Sequence, residues 1–216
     1  MTFTQIALNV AQGLQMTVEL TLLSSALGVL IAFVFGTLKT VKWRPVRYFA
    51  TAYVEIFRGT SLIVQLFWLY YALPLLGVSL SPFVAGIAAL SLNIGAYGAE
   101  VVRGALQAVP RGQREAAIAL GFTPAQRIYR IFFPQALPEM MPTFGNLAVQ
   151  NLKDSSVVSL ISLADLTYYA NNLQNLTFET TRIYTVTLFA YFGLALLLSW
   201  GIRGLENRLR RWKTRR

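Results

Sequence analysis

Long stretches of this chain are apolar position after position, carry no charged side chain, and do not alternate at every second residue. Leu20 to Leu38 is the first such run and Ile183 to Ile202 the last. Between them, Gly59 to Ala99 holds no charge at all, too long for one crossing of a hydrocarbon layer that ~20 helical residues span. Pro and Gly punctuate it in "LPLLGVSLSP", Leu73 to Pro82, which predicts two helices joined by a short turn at 77–81. Met141 to Ala164 would be a further run but for Lys153 and Asp154 at its centre. The pattern predicts five transmembrane helices, at 16–38, 58–76, 82–102, 140–163 and 183–204, in a single domain covering 1–216. Continuous apolar runs select helices over a β-barrel, so the expected fold class is all-α integral membrane.

Charge then sets an orientation. Sixteen of the nineteen Lys and Arg fall in three places: Lys39 to Arg47, Arg103 to Arg130, and Arg203 onward. Basic residues in the loops flanking spans mark the cytoplasmic side. The N-terminal segment and the 77–81 turn have none, and only Arg182 precedes the last span. The N-terminus is therefore expected outside and the C-terminus inside. A net charge of +10 becomes a topology signal and a contact with the anionic inner leaflet, not a sign of nucleic-acid binding. The final "RGLENRLRRWKTRR" sets Leu205, Leu209 and Trp212 at helical spacing among basic residues, as suits an interfacial anchor.

Composition narrows the function classes. With 55% hydrophobic and 13% charged residues, the chain lies outside the range of soluble domains. It has no Cys and no His, which excludes disulfide and thiol chemistry and removes the commonest general base and metal ligand. No Gly-Lys pair occurs anywhere, so the phosphate-binding loop of an ATPase is missing. The first basic residue is Lys39, whereas a cleaved signal peptide opens with a positive region; the first apolar stretch is expected to stay in the mature protein.

The longest polar interlude is 103–138. In "VPRGQREAAIAL", Pro110 leads into good helix formers and Gly121 follows at a helix-ending position. "FTPAQRIYRIFF" then offers Thr123 as N-cap and Pro124 as first helical residue. Two short helices with a Gly hinge are predicted, the second with Ile128, Ile131 and Phe132 on one side and Arg127 and Arg130 on another.

The spacing Glu115-Ala116-Ala117, Gly121, Ile131, Pro134 resembles the EAA loop of permease subunits of ABC importers. Phe133 stands where Leu usually precedes the Pro. "YVEIFRGTSLIVQLFWLYYALP" (from Tyr53), "GAYGAEVVRGALQAVPRGQREAA" (from Gly95) and "NLKDSSVVSLISLADL" (from Asn151) are similar to the polar amino acid uptake branch over nearly the whole chain, with Ser61 in place of a frequent Pro. Within that branch, the segments around Tyr53 and Gly95 are similar to permeases of ectoine and hydroxyectoine importers. The resemblance implies a type I ABC importer transmembrane domain in the bacterial inner membrane. It implies a second permease, copy or paralogue, two ATP-binding subunits that hold ATP and Mg, and an extracytoplasmic solute-binding protein. This chain itself would hold no cofactor or metal and be no enzyme. Glu115, Ala116, Ala117, Gly121 and Arg127 would couple to the ATP-binding subunit, and a bulky or charged side chain at Gly121 is expected to clash at the hinge. A secondary transporter, or a membrane scaffold without an ATPase partner, is the competing class; the absence of an evident inverted repeat counts against the transporter.

An ionisable residue at mid-depth of a span costs ~2.5 to 3.5 kcal/mol and marks a functional site by default. Helical spacing groups Asn151, Asp154, Ser155 and Ser159 on one broad face with Gln150 at its margin, enough to line a solute path. Two roles are open to Lys153 and Asp154: meeting the two charges of a zwitterion, or bracing neighbouring helices. Glu55 with Arg58, and Glu100 with Arg103, are spaced for pairs within a helix. "ADLTYYANNLQNLTFETT", from Ala164, is a polar outer loop on the side where a binding protein would dock.

Overall fold

The computed structural model describes residues 3–214, with side chains described as far as Arg208. Among these, no strand occurs. Helices α1 (Phe3–Ala11) and α2 (Leu14–Leu38) follow one another across Gly13. Helix α3 (Arg44–Gly59) has Pro45 in its first turn and stops where Thr60 and Ser61 become extended. The chain there turns by 106° into α4 (Leu62–Phe67), which runs on as a π-turn (Trp68–Ala72) and a 3-10 turn (Leu73–Leu76). Gly77, at φ 86°, ends it, as the 77–81 turn predicted. Helix α5 (Pro82–Ala108) is capped by the Ser81 hydroxyl, which accepts the Val84 N–H.

Helix α6 (Arg111–Ala119) and the short α7 (Pro124–Gln126) occupy the predicted two-helix segment. From Pro124 the chain then stays helical through a π-turn (Arg127–Phe132) into α8 (Phe133–Asp154) and a 3-10 segment (Ser155–Ile161). No break at 138 separates loop from span, although Pro134, Pro138 and Pro142 lie in α8. Helix α9 (Leu166–Thr177) replaces the outer loop read from the sequence, and α10 (Thr180–Thr214) is the last element.

Three stretches are long and apolar enough to cross a membrane: Phe3–Leu38, Pro82–Ala108 and Thr180–Arg208. A fourth counts if the bent pair α3 and α4 is one span. The predicted crossing at 140–163 is helical throughout its first two thirds but too polar to qualify by composition, with Lys153 and Asp154 in it.

Small residues let α2 and α5 lie against each other. A Cβ added at Gly28 would sit 2.3 Å from Ile94, at Gly36 2.6 Å from Val102, at Gly95 2.7 Å from Ile31, and at Gly98 2.7 Å from Ala32. Such close approach is how membrane helices gain packing when the hydrophobic effect cannot drive them together. Leu20, Leu66, Leu90, Val158 and Ile161 form a core on one side of this pair, and Ala32, Val102, Met140 and Phe144 another. Ile6, Val10, Leu166 and Ile183 tie α1, α9 and α10 together. Around the outside, Leu22, Leu30, Leu188, Phe189, Phe192, Leu197 and Trp200 are exposed, an apolar girdle suited to lipid. The predicted anchor residues Leu209 and Trp212 lie outside the described side chains, while Leu205 is exposed.

Candidate functional site

The mid-span polar face borders a cavity of about 470 Å³ between α4, α5 and α8, within the size range of small-ligand sites. Gln150 and Asp154 reach its wall, and the Gln150 amide donates to Asp154 Oδ1 at 2.9 Å. Asn151 also borders it but is committed elsewhere: its buried amide donates to Ser24 Oγ at 2.7 Å and Ser25 Oγ at 2.9 Å on α2. Ser155 is buried and donates to the Leu152 carbonyl, away from the cavity lining. Lys153 is exposed and off that lining too. The five residues proposed for the solute path thus separate into two on the cavity that keep a free face, one helix brace, one buried hydroxyl and one outward cation.

The rest of the polar wall comes from residues the sequence reading did not place at a site: Thr60, Ser61, Asn93 and Tyr97. Thr60 and Asn93 are held by a polar knot where α3 breaks. Gln65 Nε2 donates to the Phe57 carbonyl at 2.9 Å and to Thr60 Oγ1 at 2.8 Å, and Gln65 Oε1 accepts from Asn93 Nδ2 at 3.1 Å. Asn93 also donates to the Phe57 carbonyl, at 3.2 Å. A helix end in an apolar setting leaves carbonyls without partners, and here two amide side chains supply them. Ser61 has φ −70°, the value proline's ring imposes, so the break needs no proline. The readable signal was an uncharged amide inside each apolar run, Gln65 in "LIVQLFW" and Asn93 in "SLNIG"; a search for charges alone misses both.

The second site lies at the α6 end. Glu115 and Ala116 are exposed there, and Ala117 is buried. Gly121 at φ 71° closes α6, with its own N–H on the Ile118 carbonyl and the Phe122 N–H on the Ala117 carbonyl, a Schellman-type stop. Nothing lies within 4 Å of a Cβ added at Gly121. The expected clash is therefore corrected: the position demands glycine through its left-handed backbone, not through crowding. Thr123 and Gln126 form a reciprocal capping box at the next helix start. Arg127, placed by spacing on a polar face, instead turns inward, with its Nε buried and lacking a hydrogen-bond partner.

Charged groups knit this end to the helices. Glu100 binds Lys39, just past the end of α2, as well as Arg103, whose Nη2 is 2.7 Å away. Lys39 also faces Glu55 at 3.9 Å. The Glu100–Arg103 pair forms as predicted, but Glu55 is drawn toward Lys39 and Arg58 lies 5.2 Å above the Tyr97 ring. Arg114 of α6 donates to the Leu106 carbonyl at 2.6 Å and sits over Phe132, fastening α6 to α5. At the opposite end, Asp165 is buried rather than displayed on a loop; it caps α9 through the Tyr168 N–H at 2.8 Å and accepts from Tyr191.

Residues 24–211 match the family model described as binding-protein-dependent transport system inner membrane component. The chain is 51% identical over 211 residues to the probable amino-acid ABC transporter permease protein y4tF of Sinorhizobium fredii, covering 95% of this chain and 89% of that one. It is 36% identical to the L-cystine transport system permease protein TcyB of Bacillus subtilis, covering 93% and 86%. Among solved structures it is similar to an amino acid ABC transporter crystallised with histidines, with a TM-score of 0.86, 36% identity, and 95% and 96% of the two chains covered.

Proposed function

The chain belongs to the family of inner-membrane components of binding-protein-dependent transport systems, and we propose that it is the permease subunit of an ATP-driven importer for amino acids or amino-acid-like zwitterions, ectoine and hydroxyectoine among them. The relatives named above are amino-acid and cystine permeases, which supports the solute class. The observation that carries the reading is the cavity of about 470 Å³ with Asp154 and Gln150 on one wall and Asn93, Thr60 and Tyr97 on the other. A carboxylate fixed by one amide, facing neutral donors and acceptors, suits a compact solute with an ammonium or amidinium group.

In this reading, five crossings with the N-terminus outside bring α6 to the cytoplasmic face. There Glu115, Ala116, Ala117 and Gly121 meet an ATP-binding subunit, one of two in the complex. A second permease, copy or paralogue, completes the solute path, and a binding protein delivers solute at the α9 end. Closure of the ATP-binding subunits moves α6, and through α5 shifts the cavity between outward and inward access; nucleotide and solute are linked as two ligands of one equilibrium. Lys153, outward and off the cavity, is assigned to a neighbouring helix or lipid headgroup, not to the solute.

The test is reconstitution of this chain with its ATP-binding subunit in vesicles, with uptake of labelled L-glutamine, L-arginine, L-cystine and ectoine measured with and without internal ATP. ATP-dependent uptake of one of them is expected; uptake without ATP would give the chain to the autonomous transporters. Asp154→Asn keeps an acceptor for Gln150 but removes the charge. A hydrogen bond to a charged group contributes about 1.5–3 kcal/mol, and Asp154 is partly exposed, so solute binding to the purified complex should weaken about tenfold. Unchanged binding and unchanged preference would return Asp154 to a bracing role.

A further inference from the structure

A second cavity, of about 500 Å³, opens at the α6 end between the α2–α3 turn and the segment following Pro124. Five cationic side chains line it, Lys39, Lys42, Arg47, Arg114 and Arg127, and no acidic residue does. Two of the five are engaged: Lys39 by Glu100 and Glu55, Arg114 by the Leu106 and Val109 carbonyls. Lys42, Arg47 and Arg127 form no ion pair with another described residue, and Arg127 Nε is buried there without a hydrogen-bond partner. Gathering Lys42, Arg47 and Arg127 around a concave wall without counter-charges of their own is electrostatically costly for an empty site and favourable for an anionic occupant.

We propose that this cavity binds the phosphate of an anionic phospholipid headgroup. The aromatic surroundings point to lipid over a soluble anion. Trp43 is on the cavity lining and 66% exposed, and Tyr48 and Phe49 of the first turns of α3 are exposed beside it. Trp and Tyr collect at the headgroup level of a bilayer, so the rim lies at the depth where the basic floor meets phosphate. Arginine offers paired N–H donors to phosphate oxygens, and Arg47 and Arg127 approach the cavity from different elements. The acyl chains would lie along exposed α3, and the bound lipid would fasten the α2–α3 turn to the segment next to the coupling helix. The inference uses the proposed orientation only to put this end at the anionic leaflet.

The permease complex with its ATP-binding subunit, purified in detergent, is incubated with tritiated dioleoylphosphatidylglycerol or dioleoylphosphatidylcholine, and retained lipid is counted after gel filtration. Binding in detergent does not depend on topology or transport, so this test and that of the proposed function fail separately. Phosphatidylglycerol is expected to be retained in preference to phosphatidylcholine. Arg47→Gln with Arg127→Gln should lower its retention roughly thirtyfold, because each basic residue near anionic lipid contributes on the order of fivefold. Arg58→Gln with Arg182→Gln removes equal charge away from this cavity and should leave retention unchanged. Should the first pair disturb assembly, Lys42→Gln, in the exposed turn, is expected to lower retention about fivefold by itself. Equal loss in both paired variants, no loss in the cavity variants, or displacement of lipid by millimolar inorganic phosphate would overturn the proposal; so would binding that appears only after the ATP-binding subunit is stripped, which would make the cavity a protein interface.

Discussion

Replacing Gln65 by Leu tests whether the polar knot holds the 106° break between α3 and α4. The substitution keeps approximate volume and removes every bond the Gln65 amide makes: to the Phe57 carbonyl, to Thr60 Oγ1 and its carbonyl, and from Asn93. Phe57 retains Asn93 as a donor, so the loss falls mainly on Thr60 and Asn93. Side-chain hydrogen bonds between membrane helices average about 0.6 kcal/mol each and reach about 1.7, which puts the total near 2 kcal/mol. For a chain of this length that corresponds to a fall of about 4–8 °C in melting temperature, read by fluorescence-detected gel filtration after heating the detergent-purified complex. A double-mutant cycle with Asn93→Leu isolates the shared bond, and residues in one network should couple by at least about 0.5 kcal/mol. Additive effects in that cycle, with a melting temperature unmoved by Gln65→Leu, would refute the reasoning. Solute binding should weaken alongside stability, because Thr60 and Asn93 are themselves on the cavity wall.

Three further outcomes follow from particular residues. At Gly121, φ 71° with open space around it means that Gly121→Asn, a residue tolerant of the left-handed region, should transport nearly as wild type, whereas Gly121→Val should cost about 1–2 kcal/mol of backbone strain and lower ATP-dependent uptake while membrane insertion, measured by fractionation, is retained. Gly36→Leu places a Cβ 2.6 Å from Val102 and 2.7 Å from the Ala99 carbonyl, both in the α2–α5 contact, and should abolish the folded peak in gel filtration; a normal profile would show that these helices do not pack as described. Because the chain has no cysteine, single cysteines at Gly112 and Leu176 can be labelled in intact cells with a membrane-impermeant maleimide: Leu176 should react and Gly112 should not, and the reverse would invert the proposed orientation.

Much of the architecture was legible because lipid imposes a coarse rule: a charge-free run of sufficient length is a helix. Leu20 to Leu38 and Pro82 to Ala99 obey it, and α2 and α5 cover them. The rule fails where the backbone is satisfied by side chains instead of by the helix. Nothing in "FRGTSLIV" announces a right-angle turn, because Ser61 adopts a proline-like conformation without being proline, and the carbonyls it frees are answered by amides from Gln65 and, on another helix, Asn93. The segment from Ala164 misled for the opposite reason: its Asn and Gln content reads as loop, yet Asp165 caps it and Leu166, Ala170 and Leu173 give it a buried stripe at helical spacing. In the segment from α6 to α7 the punctuation was strong, Gly121, Thr123 and Pro124 each in the role its chemistry favours. Arg127 escaped because spacing fixes a face of a regular helix, and the π-turn from Arg127 to Phe132 changes which way that face points.

Helix α5 joins the two candidate sites, and its contacts differ in kind along its length. Near its middle it carries Asn93 and Tyr97 to the cavity wall and packs on α2 through Gly95 and Gly98, where no side-chain freedom remains. Its far end is held by charge: Glu100 grips Lys39 and Arg103, and the backbone carbonyl of Leu106 is bound by Arg114 from α6. From Asn93 to Leu106 is roughly 20 Å along a helix at 1.5 Å per residue. A close-packed helix moves as a body, since its interior contacts do not stretch; its ion-paired end is held firmly too, because the Lys39 and Glu100 side chains are largely buried and separating a buried pair is costly. In the proposed cycle, a push on α6 would reach Arg114 first, then α5 as a whole, and arrive at the cavity as a displacement of Asn93 against Gln65. The knot at the α3 break is the place where that displacement would meet a joint already bent by 106° and held by side-chain amides, so the proposed cycle predicts that changes at Gln65 or Asn93 alter transport more than any single charge in α8 does.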